Sequence, residues 1–430
     1  MSFTSAHTRA LPVWVFCVIA CIATTVTHAA GLPALSFDEA VRLAEQRSAR
    51  LDAQEAAVGA VAEQVARATE LPDPKLRLGL DNVPVSSPDA FSLTRDFMTM
   101  RRIGYAQDMP NANKREARGR KAAQEQAVEV ATFAAQRAQL RQDTALAWLE
   151  VYYAQRGVQA LDTLRAAYRL EADTTGPAVT AGRMPPAAAI AARTAVEMAN
   201  DRMLEQQRTL ARARAQLRSL VGDAAERPLD AAPDVHTLAH APHTLLGAIE
   251  SHPDQRIFEE REALAQSEVA LAASTRKPDW SWEVSFGQRE PRFSNMISVM
   301  VSMDLPLRKG ARQDRDVAAR VKQLEQARAQ REDARRMHEA EVRMLVADWT
   351  YAGERARRFT TAVLPLAHER AELALASYRG GRGELATVLE ARRGIADVEL
   401  SRLAAELERA RAWARLNYLV AHPTVPEVKP

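Results

Sequence analysis

The chain is short of cysteine and of aromatic residues, and each shortage removes a class of protein. Only two of its 430 residues are cysteines, and aromatic residues make up 5%. Because Cys17 and Cys21 both precede Gly31, the remaining chain can form neither a disulfide nor a thiolate metal site. An exported protein of this size without cross-links must be held together by packing, which long coiled helices can provide.

The chain also lacks an excess of one charge sign. Its 58 basic and 55 acidic residues are interleaved, whereas proteins that bind nucleic acid usually show a clear basic excess. Catalytic motifs are missing as well: there is no P-loop, nucleophile elbow or glycine-rich dinucleotide fingerprint, and His338-Glu339 lacks the second histidine of a zincin helix. We therefore expect no enzyme, no cofactor and no nucleic-acid partner.

Residues 1–30 have the pattern of an export signal. Arg9 supplies the positive charge, Leu11 to Ala20 form a short apolar run, and small residues end the segment. The run is too short for a transmembrane helix. Cleavage after Ala29 or Ala30 is one reading. The other is a lipobox, Val18-Ile19-Ala20-Cys21, which makes Cys21 a candidate lipidation site.

The rest of the chain contains two copies of one unit, and such a duplication decides the fold. Four segments recur in the same order at nearly constant offsets. The pairs are Ala44–Arg50 with Ala248–Asp254, Pro74 with Pro278, Asp108-Met109-Pro110 with Asp304-Leu305-Pro306, and Ala181-Gly182-Arg183 with Gly380-Gly381-Arg382. We assign residues 31–222 to the first repeat, 223–243 to a connector, 244–421 to the second repeat and 422–430 to a C-terminal tail.

Very long helices are the clearest signal in each repeat. No proline interrupts residues 111–175, and apolar or small residues recur there at every seventh position, the spacing of a coiled-coil seam. They are Phe133, Leu140, Ala147, Ala154, Leu161 and Tyr168. The second long helix, about 309–377, contains only Pro365, which should kink it. A shorter helix precedes each strand pair, at about 36–70 and 241–276.

Two pairs of strand candidates lie between the helices, each with alternating apolar and polar residues. Their apolar faces comprise Leu76, Leu78 and Leu80, then Trp280, Trp282, Val284 and Phe286, then Ile297, Val299, Val301, Met303 and Leu305. The partner of the first strand spans about 97–109. Such alternation suits a membrane β-barrel, although it also occurs in soluble sheets. Four strands cannot close a barrel, and open edges are costly in lipid. Three copies would supply twelve strands.

This order of elements resembles the TolC-like outer membrane efflux channels, and most closely the branch of heavy-metal (cobalt–zinc–cadmium) exporters. The stretches that carry the likeness are Leu35–Ala40, Leu71–Pro74, Ala181–Arg183, Ala215–Gly222, Val363–Ala367 and Tyr378–Leu385. The resemblance implies a mainly α fold with a homotrimeric twelve-stranded outer-membrane β-barrel and a periplasmic α-barrel. It also implies a periplasmic adaptor (membrane fusion) protein and an inner-membrane pump of the resistance-nodulation-division type. The chain would be a passive duct for small solutes, with heavy-metal cations as the implied cargo.

By the same resemblance, the turns around Gly182 and Gly381 form the tip of the tunnel. The residues expected to bind the adaptor or hold the closed mouth are Thr180, Gly182, Arg183, Tyr378, Gly381, Arg382 and Leu385. Channels can narrow at acidic rings, for which Glu171, Asp173 and Glu384 are the nearest candidates. His236, His240 and His243 have ligand-like spacing, but they fall in the connector, and we expect no metal there.

Two alternatives remain open from the sequence. A periplasmic coiled-coil adaptor or scaffold would share the export signal and the long hairpins. A type I duct for protein secretion would share the whole architecture.

Overall fold

The computed structural model describes residues 33–86, 88–247 and 249–419. The export signal, Cys21 and the C-terminal tail lie outside the described residues. The helices there are α1 (Phe37–Gln46), α2 (Ala49–Ala68), α3 (Ala112–Thr180), α4 (Pro186–Val221), α5 (Pro242–Gly247), α6 (Pro253–Ser274), α7 (Gln313–Arg358), α8 (Leu364–Arg379) and α9 (Leu385–Leu419). The strands are β1 (Lys75–Asp81), β2 (Met100–Met109), β3 (Trp280–Gln288) and β4 (Met296–Met303). No helix in this part of the chain combines the length and apolar character needed to cross a membrane.

The longest helix, α3, exceeds its predicted length. It has 69 residues, roughly 100 Å at 1.5 Å per residue, and Asn111 caps its start by accepting a hydrogen bond from the backbone N–H of Lys114. It passes through Pro177 and ends at Thr180, beyond the predicted end at 175. Pro177 deprives the helix of one backbone hydrogen bond, yet the helix continues through it to the turn.

The short helices before each strand pair are broken where single helices were predicted. Ser48 caps α2 by accepting a hydrogen bond from the N–H of Leu51, and Nδ1 of His252 accepts one from the N–H of Asp254 at the start of α6. A 3-10 turn, Ile249–Ser251, separates α5 from α6. Ser48 and His252 are equivalent positions in the alignment of the repeats, so both copies break at the same place.

The second long helix departs from α geometry just before Pro365. Residues Phe359–Val363 form a π turn, in which the N–H of Leu364 bonds to the carbonyl of Phe359. Pro365 has no N–H to donate and its ring crowds the preceding turn, which favours such a local widening. The predicted kink is therefore a π turn between α7 and α8.

The long helices pack in the row α4, α3, α9 and α7–α8. The helices α1, α2 and α6 pack against α3, and α6 also packs against α7. Most of the predicted seam of α3 is buried, including Ala147, Leu161 and Tyr168. One core surrounds Trp148, whose indole N–H donates to the carbonyl of Leu35, with Phe37 packed edge-on. A second core lies near the turns at the far end of the helices.

The connector is held on the second repeat by side chains of α7 and α9. The indole N–H groups of Trp349 and Trp413 donate to the carbonyls of Val235 and Thr237. Arg409 lies over the Trp349 ring and donates to the carbonyl of His236. These contacts fix a segment that has little regular structure of its own.

Candidate functional site

The two turns at the helical end have the same backbone geometry. Gly182 has φ +68° and Gly381 has φ +70°, the left-handed region that favours glycine. In the first turn the N–H of Gly182 bonds to the carbonyl of Val179 and the N–H of Arg183 to that of Ala178. In the second, Gly381 bonds to Tyr378 and Arg382 to Ser377 in the same way. Both are Schellman motifs, so the duplicated sequence folds into duplicated turns.

The predicted tip residues divide into an exposed set and a buried set. Thr180, Gly182, Arg183, Gly381 and Arg382 are exposed and form the outer surface of the turns.

Two predicted tip residues lie inside. Leu385 is buried in the second core, so it stabilises the tip and does not offer a surface to a partner. Tyr378 is half-buried, and its hydroxyl lies 3.2 Å from the sulfur of Met184 on the other turn. Burial raises the pKa of the Tyr378 hydroxyl. These two side chains link the turns to each other.

One of the three predicted constriction acids forms an ion pair inside the structure. Glu171 is buried, and its Oε1 lies 2.9 Å from Nη2 of Arg392 on α9. With its charge paired inside the bundle, Glu171 offers no free carboxylate, and its role at a constriction stays a prediction. Sequence reasoning missed Arg392 because its partner lies on a helix of the other repeat.

The other two predicted acids, Asp173 and Glu384, are exposed. Neither forms an ion pair within the part of the chain that the structure describes. They remain the free negative charges nearest the turns among the three candidates.

Further contacts hold the tip hairpins together. The Tyr168 hydroxyl donates to the carbonyl of Leu389 at 2.9 Å, and Arg202 pairs with Asp397 at 2.7 Å. They join α3 and α4 of the first repeat to α9 of the second.

At the opposite end lies a single antiparallel sheet in the order β1-β2-β3-β4. Paired residues share a face, so one apolar face crosses all four strands. Its central rows are Leu76-Tyr105-Val284-Val299 and Leu78-Ile103-Phe286-Ile297. These side chains are exposed; Leu78 and Ile297, for example, are 72% and 73% exposed. The predicted alternation of all four strands is thus present in the structure.

The other face of the sheet is polar and its charges are paired. Arg77 lies 2.7 Å from Glu283, Arg102 lies 3.0 Å from Asp81, and Lys75 lies 2.6 Å from Asp108. Because each basic group has an acidic partner, this face is hydrophilic without a strong preference for one sign of ion. The outer edges of β1 and β4 have no strand neighbour in the described chain.

The connector histidines do not converge on a common point. Nδ1 of His236 lies 2.7 Å from Nη1 of Arg409, so that ring nitrogen is already engaged by an arginine. Within the described residues, no group of three or more His, Cys, Asp or Glu side chains is placed to hold a metal ion.

Comparisons with known proteins agree with this architecture. Residues 247–422 match the family model described as outer membrane efflux protein. No curated protein matches the chain. Among solved structures it is similar to CusC, with a TM-score of 0.78 and 15% identity over 93% of this chain and 96% of that chain.

Two further structures have the same fold. The outer membrane protein VceC of Vibrio cholerae gives a TM-score of 0.72 and 17% identity over 89% of this chain and 94% of that one. The CmeC outer membrane channel of Campylobacter jejuni gives 0.72 and 12% over 89% and 85%.

The family match and the fold together support the predicted relationship to the TolC-like channels. The predicted fold class, a duplicated and mainly α chain with helical-barrel and β-barrel portions, is confirmed. The predicted localisation, an outer membrane channel extended by periplasmic helices, is that of structures with this fold.

Proposed function

We propose that this chain, with the fold of the TolC-like channels and a second half that matches the outer membrane efflux proteins, is one subunit of a homotrimeric efflux channel. The observation that carries the proposal is the sheet. It has an exposed apolar face, a polar face with paired charges, and two unpaired edges. Lipid on one side, water on the other and strands of further copies at both edges satisfy all three features.

The proposed mechanism is a passive duct. Three copies give twelve strands around a water-filled lumen, and the helical hairpins extend that lumen into the periplasm. A periplasmic adaptor contacts the exposed turn residues Thr180, Gly182, Arg183, Gly381 and Arg382, and links the duct to an inner-membrane pump of the resistance-nodulation-division type. The charge-balanced face of the sheet supports a duct whose selectivity comes mainly from the pump.

The proposed cargo is small solutes, with heavy-metal cations as the first class to test. This choice follows from the sequence likeness to the metal-export branch, and the exposed carboxylates of Asp173 and Glu384 are compatible with cations.

The decisive experiment is to fractionate expressing cells and measure the mass of the native species in detergent by light scattering. We expect the outer-membrane fraction to contain a species of three times the chain mass. A soluble periplasmic monomer would contradict the proposal and favour the adaptor or scaffold alternative.

The cargo is tested in a strain that lacks the gene. We expect increased sensitivity to cobalt, zinc and cadmium salts, restored by the intact gene. Unchanged metal sensitivity together with loss of a secreted protein from the medium would favour the type I secretion duct.

A further inference from the structure

The apolar face of the sheet ends in aromatic side chains on the side nearest the helices. Met109, Trp280 and Met303 form its last row. Trp282, in the row before, packs against Tyr105 with ring centroids 5.7 Å apart. Tryptophan and tyrosine collect where the hydrocarbon of a bilayer meets its headgroups. Because the helices extend from this end, the last row marks the periplasmic border of the proposed barrel.

The chain leaves this border through two leucines that the described residues do not cover. Leu305 and Leu307 are 68% and 86% exposed. The N–H of Asp304 still bonds to the carbonyl of Asp279, so strand pairing continues one residue beyond Met303. The N–H of Leu307 then bonds to the carbonyl of Leu305 in a tight turn. Leucines this exposed gain the free energy of burial only if they enter the edge of a bilayer or meet another apolar surface.

Three basic residues follow the leucines in a stretch without acids. We call residues 305–313 the border segment; it contains no Asp or Glu, and its charged residues are Arg308, Lys309 and Arg312. All three are exposed, and none forms an ion pair within the described part of the chain. Of the flanking acids, Asp314 is already paired with Arg276 at 2.7 Å, and Asp304 pairs with none of the three. The border segment therefore carries three uncompensated positive charges.

The first repeat also has basic residues at this place, but there they turn inward. The helix α3 begins two residues after its proline, whereas α7 begins seven residues after its own. Lys114 at the start of α3 forms an ion pair with Asp279 of the second repeat. In the alignment of the repeats Asp279 corresponds to Lys75, so the first repeat offers no acid in return. Only the second repeat keeps its basic residues free at the border.

We propose that the border segment binds the headgroup of an anionic phospholipid in the periplasmic leaflet of the membrane. Leu305 and Leu307 enter the border of the hydrocarbon, and Arg308, Lys309 and Arg312 hold the phosphate. Arginine suits this role because its guanidinium donates two parallel hydrogen bonds to phosphate oxygens. The inference rests on the proposed channel and adds a lipid ligand that a passive duct does not itself require.

The charge of the border segment selects among phospholipids. Phosphatidylethanolamine carries its own ammonium group and is neutral overall, whereas phosphatidylglycerol carries a net negative charge. Three positive charges without an acid therefore favour phosphatidylglycerol. A free phosphate ester offers the same charge but no acyl chains, so it makes no use of the two leucines. Three copies of the chain give three such sites around the barrel.

Native mass spectrometry of the detergent-solubilised trimer tests the headgroup contact. We expect the wild type to retain three added phosphatidylglycerol molecules per trimer, and to bind phosphatidylethanolamine with the same acyl chains at least tenfold more weakly. Glycerol 3-phosphate at the same concentration should displace none of the lipid. A basic residue near an anionic surface contributes about a fivefold gain in affinity. The variant with Arg308→Gln, Lys309→Gln and Arg312→Gln should therefore bind phosphatidylglycerol more than tenfold more weakly.

A matched control removes the same number of charges elsewhere. The helical part of the chain has exposed arginines that form no ion pair among the described residues, including Arg193, Arg212 and Arg358. Their joint replacement by Gln should leave the affinity for phosphatidylglycerol within twofold. If the control loses the lipid as strongly as the border variant, binding follows overall charge and the proposed site is wrong.

A fluorescent thiol probe tests whether the leucines enter the bilayer. Cys17 and Cys21 both lie in the predicted export signal, so the probe reports on the introduced cysteine. In vesicles that contain a lipid with a spin label near its glycerol, a probe on Leu307→Cys should lose at least half of its fluorescence. A probe on Ala329→Cys, at an exposed position sixteen residues into α7, should lose none beyond error. An unquenched probe at residue 307 would place the border segment in water and overturn the proposal.

The readouts separate this inference from the proposed function. If light scattering shows trimers but the border variant keeps its phosphatidylglycerol, the lipid site is wrong and the channel stands. Dissociation of the border variant into monomers, with no lipid retained by the wild type, would assign the three basic groups to a contact with the next copy. A wild-type chain that is soluble and monomeric without detergent would contradict both proposals.

Discussion

At the scale of single residues, the tip depends on two glycines whose backbone conformation other residues adopt with strain. An added Cβ at Gly182 or Gly381 would meet no other atom within 4 Å, so space does not explain the glycines. The positive φ at each turn explains them, because it lets the N–H of the glycine and the N–H of the residue after it bond to the last helix carbonyls.

We expect Gly381→Leu to loosen the tip and Gly394→Leu not to. Both positions are open, but Gly394 lies within α9, where leucine favours the helix. The left-handed conformation costs a residue with a Cβ roughly 1–2 kcal/mol. Hydrogen exchange at the Arg382 amide should therefore rise about 5- to 30-fold in the first variant only. The trimer should stay intact while resistance is lost; full resistance would contradict the role of the turn.

The buried pair His252 and His338 predicts a pH dependence. Their ring centroids lie 4.3 Å apart between α6 and α7. Burial, followed by the nearby His338, lowers the pKa of His252 to about 3. The carboxylates of Asp254 and Glu341 face the two rings at 3.8 and 3.6 Å. His252 is thus neutral in the folded chain under conditions where the unfolded chain already binds a proton.

We expect the melting temperature of the detergent-solubilised protein to fall between pH 7.5 and 5.5. The stabilisation that neutral His252 provides is fully present above the unfolded-state pKa of about 6.5. It is lost as the pH falls toward the folded-state pKa, and the free energy of unfolding decreases by at most about 1.4 kcal/mol per pH unit. His252→Ser, which copies Ser48 of the first repeat, should flatten this dependence. Burial raises the pKa of Asp254, an effect of opposite sign that Asp254→Asn removes. An unchanged slope in His252→Ser would exclude the pair as the cause.

At the scale of elements, each strand separates two environments. Consecutive residues of β4 alternate between the apolar face and the face that carries Glu283. The same substitution at the next residue, which lies on the other face, is therefore a suitable control.

We expect Val299→Lys to destabilise the protein in lipid and Met300→Lys to be tolerated. Val299 lies in the apolar row with Val284, whereas Met300 pairs with Glu283 on the polar face. A lysine that faces lipid near the bilayer midplane costs about 2–4 kcal/mol. The measurement is the yield of heat-resistant trimer from outer membranes. Equal yields for the two variants would show that the Val299 face does not contact lipid.

At the scale of the whole molecule, a threefold channel would multiply every charge at its tip. Asp173 and Glu384 are exposed, whereas Glu171 is compensated by Arg392. In a trimer the two exposed acids supply six negative charges near the mouth, and a ring of carboxylates favours cations.

We therefore expect Asp173→Asn combined with Glu384→Gln to lower the cation-to-anion permeability ratio in planar bilayers by about twofold or more. Glu171→Gln should leave the ratio within error, because its charge is already paired, and it serves as the control. If Glu171→Gln changes the ratio as strongly as the double variant, the buried ion pair opens in the conducting state.

The sequence by itself determined the repeated plan, the long helices, the alternating strands and the two glycine turns. These features depend on local spacing: seven residues for a coiled-coil seam, two for a strand, and a glycine where φ is positive. Even the equivalence of Ser48 and His252 follows from the alignment of the repeats, although the breaks that they cap were not foreseen.

The tertiary structure decided what depends on residues far apart in the chain. The packing of α3 against α9 brings Arg392 to Glu171 and helps to bury Leu385. The approach of the two turns joins Tyr378 to Met184. Likewise, the distortion before Pro365 becomes visible only in the structure, as a π turn between α7 and α8. Spacing fixes the periodicity of an element, but the partner of each side chain is set by which elements meet, and that is a property of the whole fold.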